Sequence, residues 1–252
     1  MPNSTLYAFI LSFLAGLSTF IGALIMIICK NKDNRVVIGS LSFAAGVMIC
    51  VSISDLIPNS YKLININDTF FKILLCLIFI VIGIIISMLI DKYITDEKVE
   101  NNNNLYKVGI ISMIAIIMHN IPEGIATFIT SSNNIKLGIT LTLAIALHNI
   151  PEGISIFVPI YYSTNNKLKA FLYVLISGMS EVIGAILAYL FLAPFINDFI
   201  MSLLYSIIAG IMIHISVYEL IPKADELGTL KQVLKYFTIG FILMLLSHFI
   251  LG

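Results

Sequence analysis

The sequence predicts an all-α integral membrane protein with eight transmembrane helices, and three observations carry that reading. Hydrophobic residues make up 59% of the 252 and charged residues 11%, a balance outside that of soluble domains. The mean hydropathy is +1.03, so the apolar excess runs along the whole chain rather than sitting in one core. Apolar stretches recur at or above the ~20 residues a helix needs to cross the hydrocarbon of a bilayer. Porin-like strands fit poorly, because they need only ~10 residues each and alternate in polarity. Helices satisfy their own backbone polar groups in lipid.

The spans fall at 6–29, 36–57, 70–90, 107–130, 137–160, 169–192, 199–221 and 233–251, and residues 1–252 form a single polytopic membrane domain. Span one follows "MPNSTLYAF", which lacks a basic region, and its apolar run exceeds twenty residues, so it reads as retained rather than cleaved. Cys29, Cys50 and Cys76 lie in or beside apolar spans without CxxC spacing, which suggests small packing residues and neither disulfides nor a thiolate site. A formal net charge of zero gives no support for nucleic-acid binding.

Basic residues set the orientation, because Lys and Arg stay on the cytoplasmic side. Loops one, three, five and seven, with their flanks, hold Lys30, Lys32, Arg35, Lys92, Lys98, Lys107, Lys167, Lys169, Lys223, Lys231 and Lys235, eleven of the fourteen. The even loops hold Lys62, Lys72 and Lys136. The odd loops are therefore inside and both termini extracytoplasmic, and the helical spans with this basic-loop bias imply residence in a cell's inner membrane. The loop at 91–107, polar and Asn-rich, is expected to be a flexible cytoplasmic linker.

The spans repeat. "GLSTFIGA" from Gly16 matches "GMSEVIGA" from Gly178, and "GVMICVSISDLIP" from Gly46 matches "GIMIHISVYELIP" from Gly210. "MHNIPEGIATF" from Met118 matches "LHNIPEGISIF" from Leu147, 29 residues on. Spans one to three thus repeat as six to eight, and span four as five. Each pair joins an odd and an even span, so the copies cross in opposite directions, a hallmark of secondary transporters with a mid-membrane site.

Five carboxylic residues lie inside the spans: Asp55, Glu123, Glu152, Glu181 and Glu219. Each costs about 2.5 to 3.5 kcal/mol on insertion scales, so each asks for a partner or a function. His119, His148 and Glu181 stand at the centres of spans four, five and six. His119 and Glu123 are four apart, as are His148 and Glu152, so imidazole and carboxylate share a helix face and can chelate one ion. Pro122 and Pro151 interrupt the helical hydrogen bonding in the same turns, and Gly124 and Gly153 admit a neighbouring helix. Imidazole, carboxylate and amide donors without thiolate suit Zn²⁺, Fe²⁺, Mn²⁺ or Co²⁺.

This pattern, a doubled HNIPEG in the fourth and fifth of eight spans with a glutamate in the sixth and a long loop after the third, resembles the ZIP family of divalent metal transporters, most of all its bacterial branch. The resemblance covers essentially the whole chain. It implies a metal pathway between spans two, four, five and seven and a binuclear mid-membrane site. One position would use His119, Glu123, His148 and Glu152, with Met48 nearby. The other would use Asn120, Glu123, Asn149, Glu152 and Glu181. It also implies that zinc, iron, manganese and cobalt are carried rather than held as cofactors. The His-rich cytoplasmic loop of eukaryotic relatives is missing.

Asp55 and Glu219, matched by the repeat, are expected near the outer and inner mouths, where they would concentrate cations or simply touch solvent. His214, at the place of Cys50 in the repeat, is expected on the path or packed against a partner, and His248 is expected to be structural. The partners implied are divalent cations and the lipid bilayer; a homodimer is compatible with the chain. Two other functions fit less well. An intramembrane zinc hydrolase would need one open zinc site, yet there is no HExxH and the ligands come in two related sets. A proton-coupled carrier of organic solutes leaves the paired histidines and asparagines without a role.

Overall fold

The computed structural model describes residues 2–28, 33–96, 104–192, 195 and 197–251. Among these, the protein is helical throughout, with eight helices long and apolar enough to cross a membrane. They run Pro2–Ile28, Asn34–Leu63, Thr69–Asp96, Asn104–Asn133, Ile135–Thr164, Lys167–Leu187 with a π-helical turn at Ala188–Leu192, Asp198–Leu227, and Leu230–Leu251. The eight predicted spans are all present, and most helices extend past them at both ends. The third and fourth helices reach into the predicted 91–107 linker from either side, and its middle, 97–103, lies outside the described residues, as do Cys29, Lys30, Lys32 and Lys98.

The extensions come from polar residues that cap helices. Asn134, Asn166 and Asn197 each accept a backbone N–H from the first turn of the fifth, sixth and seventh helices. Asp33 and Asp68 do the same for the second and third. Thr229 and Gln232 form a reciprocal capping box on the eighth, with Gln232 Oε1 accepting from Thr229 N at 3.1 Å. The fifth helix ends on Asn165, whose φ of 56° is the left-handed conformation that closes a helix C-terminus.

Two helices depart from regular α geometry at matched positions. Ser52–Leu56 in the second and Ser216–Leu220 in the seventh are π-helical turns, each followed by a proline-led last segment. These turns hold Asp55 and Glu219. A π turn inserts a residue into the ladder and re-aims the side chains around it.

Packing divides the helices into two groups: the first, fourth, fifth and sixth interlock, and the second and eighth pack together, as do the third and seventh. The third and eighth are peripheral, with 17% of their apolar windows buried against 67% in the second and fifth. Glycines set the closest crossings. A Cβ on Gly22 would collide with the carbonyl of Ile150, and one on Gly184 with that of Ile121. Likewise Gly153 meets Thr19 and Gly124 meets Glu181, while Gly46 meets Phe237 and Gly210 meets Ile80. In the first two pairs both contacts join positions matched by the sequence repeat, and in the third the two glycines are so matched.

Helices this close leave no room for a branched side chain. Gly22→Val and Gly184→Val are each expected to destabilise the protein by about 1 to 3 kcal/mol through overpacking. Gly39→Ala, whose added methyl would sit 3.6 Å from the Tyr236 ring, is expected to be neutral or stabilising. Thermal melting in detergent distinguishes the two classes.

Candidate metal centre

The fourth and fifth helices pack against each other and bring both HNIPEG turns to one buried point. His119, Asn120, Glu123, His148, Asn149, Glu152 and Glu181 are all 5% exposed or less. The i, i+4 spacing holds on the fourth helix, where His119 Nε2 lies 3.2 Å from Glu123 Oε1. On the fifth, the contacts cross between helices instead. His148 Nε2 shares a hydrogen bond with Glu123 Oε1 at 3.0 Å, and His119 Nε2 lies 3.5 Å from Glu152 Oε1. Glu123 Oε1 is thus held between two imidazoles whose centroids are 5.9 Å apart. Ligand atoms of His119, Glu123 and His148 all fall within 4.8 Å of one another, a spacing one metal ion can span.

The asparagines are fixed by backbone that the sequence did not single out. Asn120 Nδ2 donates to the carbonyl of Ser177 at 3.1 Å, and Asn149 Nδ2 to that of Ala15 at 3.1 Å. Ser177 and Ala15 each precede the first glycine of a matched motif, Gly178 and Gly16, which meet each other's carbonyls. That position was the available signal for the two orienting groups. Asn149 Nδ2 also donates to Glu181 Oε2 at 3.0 Å, joining the sixth helix to the cluster.

With both amide NH₂ groups so engaged, acceptors are left over. Asn120 Oδ1, Asn149 Oδ1, Glu123 Oε2, both carboxyl oxygens of Glu152 and Glu181 Oε1 are buried without a hydrogen-bond partner. An unsatisfied buried polar atom costs about 1 to 3 kcal/mol, and carboxyl groups cost more. Six such oxygens in one cluster form a donor set for hard or borderline cations.

The remaining predicted residues lie off this centre. Met48 belongs to the main apolar cluster, with Ile116 and Ile156 of the fourth and fifth helices. His214 Nδ1 shares a hydrogen bond with Ser87 Oγ at 2.9 Å, and the ring stacks on Tyr218 at 4.9 Å. Asp55 lines a cavity of about 440 Å³, and His248, expected to be structural, lines it too. Glu219 lines a separate cavity of about 230 Å³ with Lys107 and Lys223.

Eight membrane-spanning helices around a buried nest of imidazole, amide and carboxyl donors define a polytopic transporter built on cation chemistry. The chain belongs to the ZIP zinc transporter family, whose model matches residues 93–248. It is 38% identical to the zinc transporter ZupT of Clostridium perfringens over 97% of this chain and 96% of that one. It is 40% identical to the ZupT of Streptococcus mutans, over 90% and 91%, and 39% to that of Campylobacter jejuni, over 97% and 96%. Membership in a family of transporters sets the hydrolase reading aside; the protein is not an enzyme.

Three carboxyl groups held this close repel one another in the absence of a cation. In chelator-treated protein, Glu152→Gln is therefore expected to raise the melting temperature by about 2 to 4 °C, the shift that ~1 kcal/mol produces at this size. A fall in melting temperature would show that the carboxyl stabilises the metal-free fold.

Proposed function

We propose that the protein carries divalent cations, zinc foremost, into the cytoplasm through the cluster on the fourth, fifth and sixth helices. The observation that carries this reading is the set of unpartnered buried oxygens beside two imidazoles, with no lysine or arginine among the neutralising contacts of the described residues. His119, Glu123, His148 and Glu152 form the nitrogen-bearing position. Asn120, Asn149 and Glu181 extend it with oxygen donors toward a second position, and Glu123 and Glu152 bridge the two. A mixed nitrogen and oxygen set without thiolate does not discriminate strongly among divalent metals, so Fe²⁺, Mn²⁺ and Co²⁺ are carried as well.

The matched glycine contacts support reading the chain as inverted repeats, with the cluster on their pseudo-two-fold axis. The bias of basic residues toward the odd loops supports extracytoplasmic termini. On that orientation the Asp55 cavity opens outward and the Glu219 cavity inward. An ion sheds water in the outer cavity, exchanges it for Glu and His ligands at mid-depth, and is rehydrated on the inner side.

The test is uptake into proteoliposomes across a panel of cations, with and without a proton gradient. Glu123→Ala and Glu152→Ala are each expected to abolish zinc uptake. Zinc is also expected to raise the melting temperature of the parent protein and not of these variants, by an amount corresponding to about 2.7 kcal/mol at a hundredfold excess over Kd. Transport at the parent rate in either variant would remove the site assignment.

A further inference from the structure

The two end cavities correspond under the repeat, and their linings differ in charge. Asp55 corresponds to Glu219, and both sit in π-helical turns. Four residues on, Asn59 corresponds to Lys223. The third and eighth helices align through Gly83 and Gly240, which meet the matched carbonyls of Ile207 and Phe43. On that register Asp91 corresponds to His248.

In the Asp55 cavity the neighbours are an amide and an imidazole. Asn59 Nδ2 donates to Asp55 Oδ1 at 2.6 Å and leaves the other carboxylate oxygen to the cavity, which His248 also lines. In the Glu219 cavity the neighbours are ammonium groups. Lys107 Nζ pairs with Asp91 Oδ1 at 2.8 Å, and Asp91 lies within hydrogen-bonding reach of Glu219. Lys223 Nζ pairs with Glu226 Oε2 at 2.6 Å, and its side chain is 12% exposed. Lys107 and Lys223 therefore both line this mouth beside its carboxyl groups, one on the fourth helix and one on the seventh.

We propose that Lys107 and Lys223 are tethered cations of the inner mouth, which occupy its carboxylates so that a departing divalent ion is released rather than retained. This rests on the orientation and transport reading proposed above. A divalent ion arriving from mid-membrane meets Asp91 and Glu226 already engaged by ammonium beside Glu219, and the two fixed positive charges lower its local concentration. In the outer mouth no ammonium lines the cavity among the described residues, and the carboxylate remains available for capture. The lysines are positioning residues for release and need not touch the ion at mid-depth.

The experiment uses the full chain in oriented proteoliposomes, with zinc as the probe, together with equilibrium dialysis of zinc against the purified protein. Lys223→Asn, which installs the residue of the opposite mouth, and Lys107→Met are each expected to lower the maximal uptake rate about two- to fivefold, the range set by partly exposed ion pairs. Both are expected to leave half-saturation unchanged and to bind additional zinc in dialysis. Lys107→Arg keeps the charge and is expected to behave as the parent in both measurements. Asn59→Lys is expected to raise half-saturation without lowering the maximal rate. Parent-like rates and zinc stoichiometry in folded Lys223→Asn and Lys107→Met would overturn the proposal. A reversed split, with Asn59→Lys lowering the rate and Lys223→Asn lowering half-saturation, would overturn the orientation and with it the release role. If the parent itself moves no zinc, the transport reading fails, and unchanged stoichiometry in dialysis still decides against the tether.

Discussion

Burial of seven polar side chains at the centre of a lipid-embedded bundle is the constraint on which the rest of this architecture depends. Lipid offers no water to satisfy them, so every donor and acceptor must find protein or an ion. The amide NH₂ groups are satisfied by the carbonyls of Ala15 and Ser177. Those carbonyls serve because a carbonyl oxygen has a second lone pair beyond its helical bond. Glu123 Oε2, both carboxyl oxygens of Glu152 and Glu181 Oε1 have no such recourse and stay without a hydrogen-bond partner. The helices that carry the asparagines must therefore lie tightly against the first and sixth.

That closeness comes from the glycines. Gly16 and Gly178 face each other's carbonyls immediately beside Ala15 and Ser177, so the backbone approach and the orientation of the asparagines are one arrangement. Gly153 rests on the backbone of Thr19, and Gly124 on that of Glu181. Here the repeat is matched in backbone and broken in side chain. One copy offers a carboxyl group, the other a hydroxyl, Thr19 Oγ1, buried without a partner. Matched backbone contacts thus carry unmatched side chains, with the added carboxyl group on the sixth helix.

Much of this was legible in the sequence. The eight spans follow from apolar length, and the buried central cluster follows from the doubled motif, since carboxyl and imidazole groups are too costly within a span to stand there without an ion or a partner. What escaped has physical causes. Helix ends escaped because Asn, Asp and Thr caps look like linker composition until their backbone partners are known. The pairing of His148 with Glu123 escaped because i, i+4 spacing describes one helix and not the crossing of two. The π-helical turns at Asp55 and Glu219 carry no local residue signal beyond the proline that follows. The company of His248 depends on the register of the peripheral eighth helix, whose match to the third shows in glycine contacts rather than in shared letters.

The asymmetry between the mouths bears on rate and not on direction. No arrangement of ligands can drive net flow, because a site that binds an ion also binds it in reverse. Direction comes from the gradient, and a divalent ion gains about 4.6 kcal/mol per 100 mV of inside-negative potential, twice the value for a single charge. Against such a drive the danger for an acidic pathway is retention, since carboxylates that attract a cation at one end also hold it at the other. On the proposed orientation, neutral Asn59 stands at the capturing mouth and cationic Lys223 at the releasing one, which separates the two tasks. On that proposal, two lysines in one cavity and none among the described residues lining the other separate release from capture.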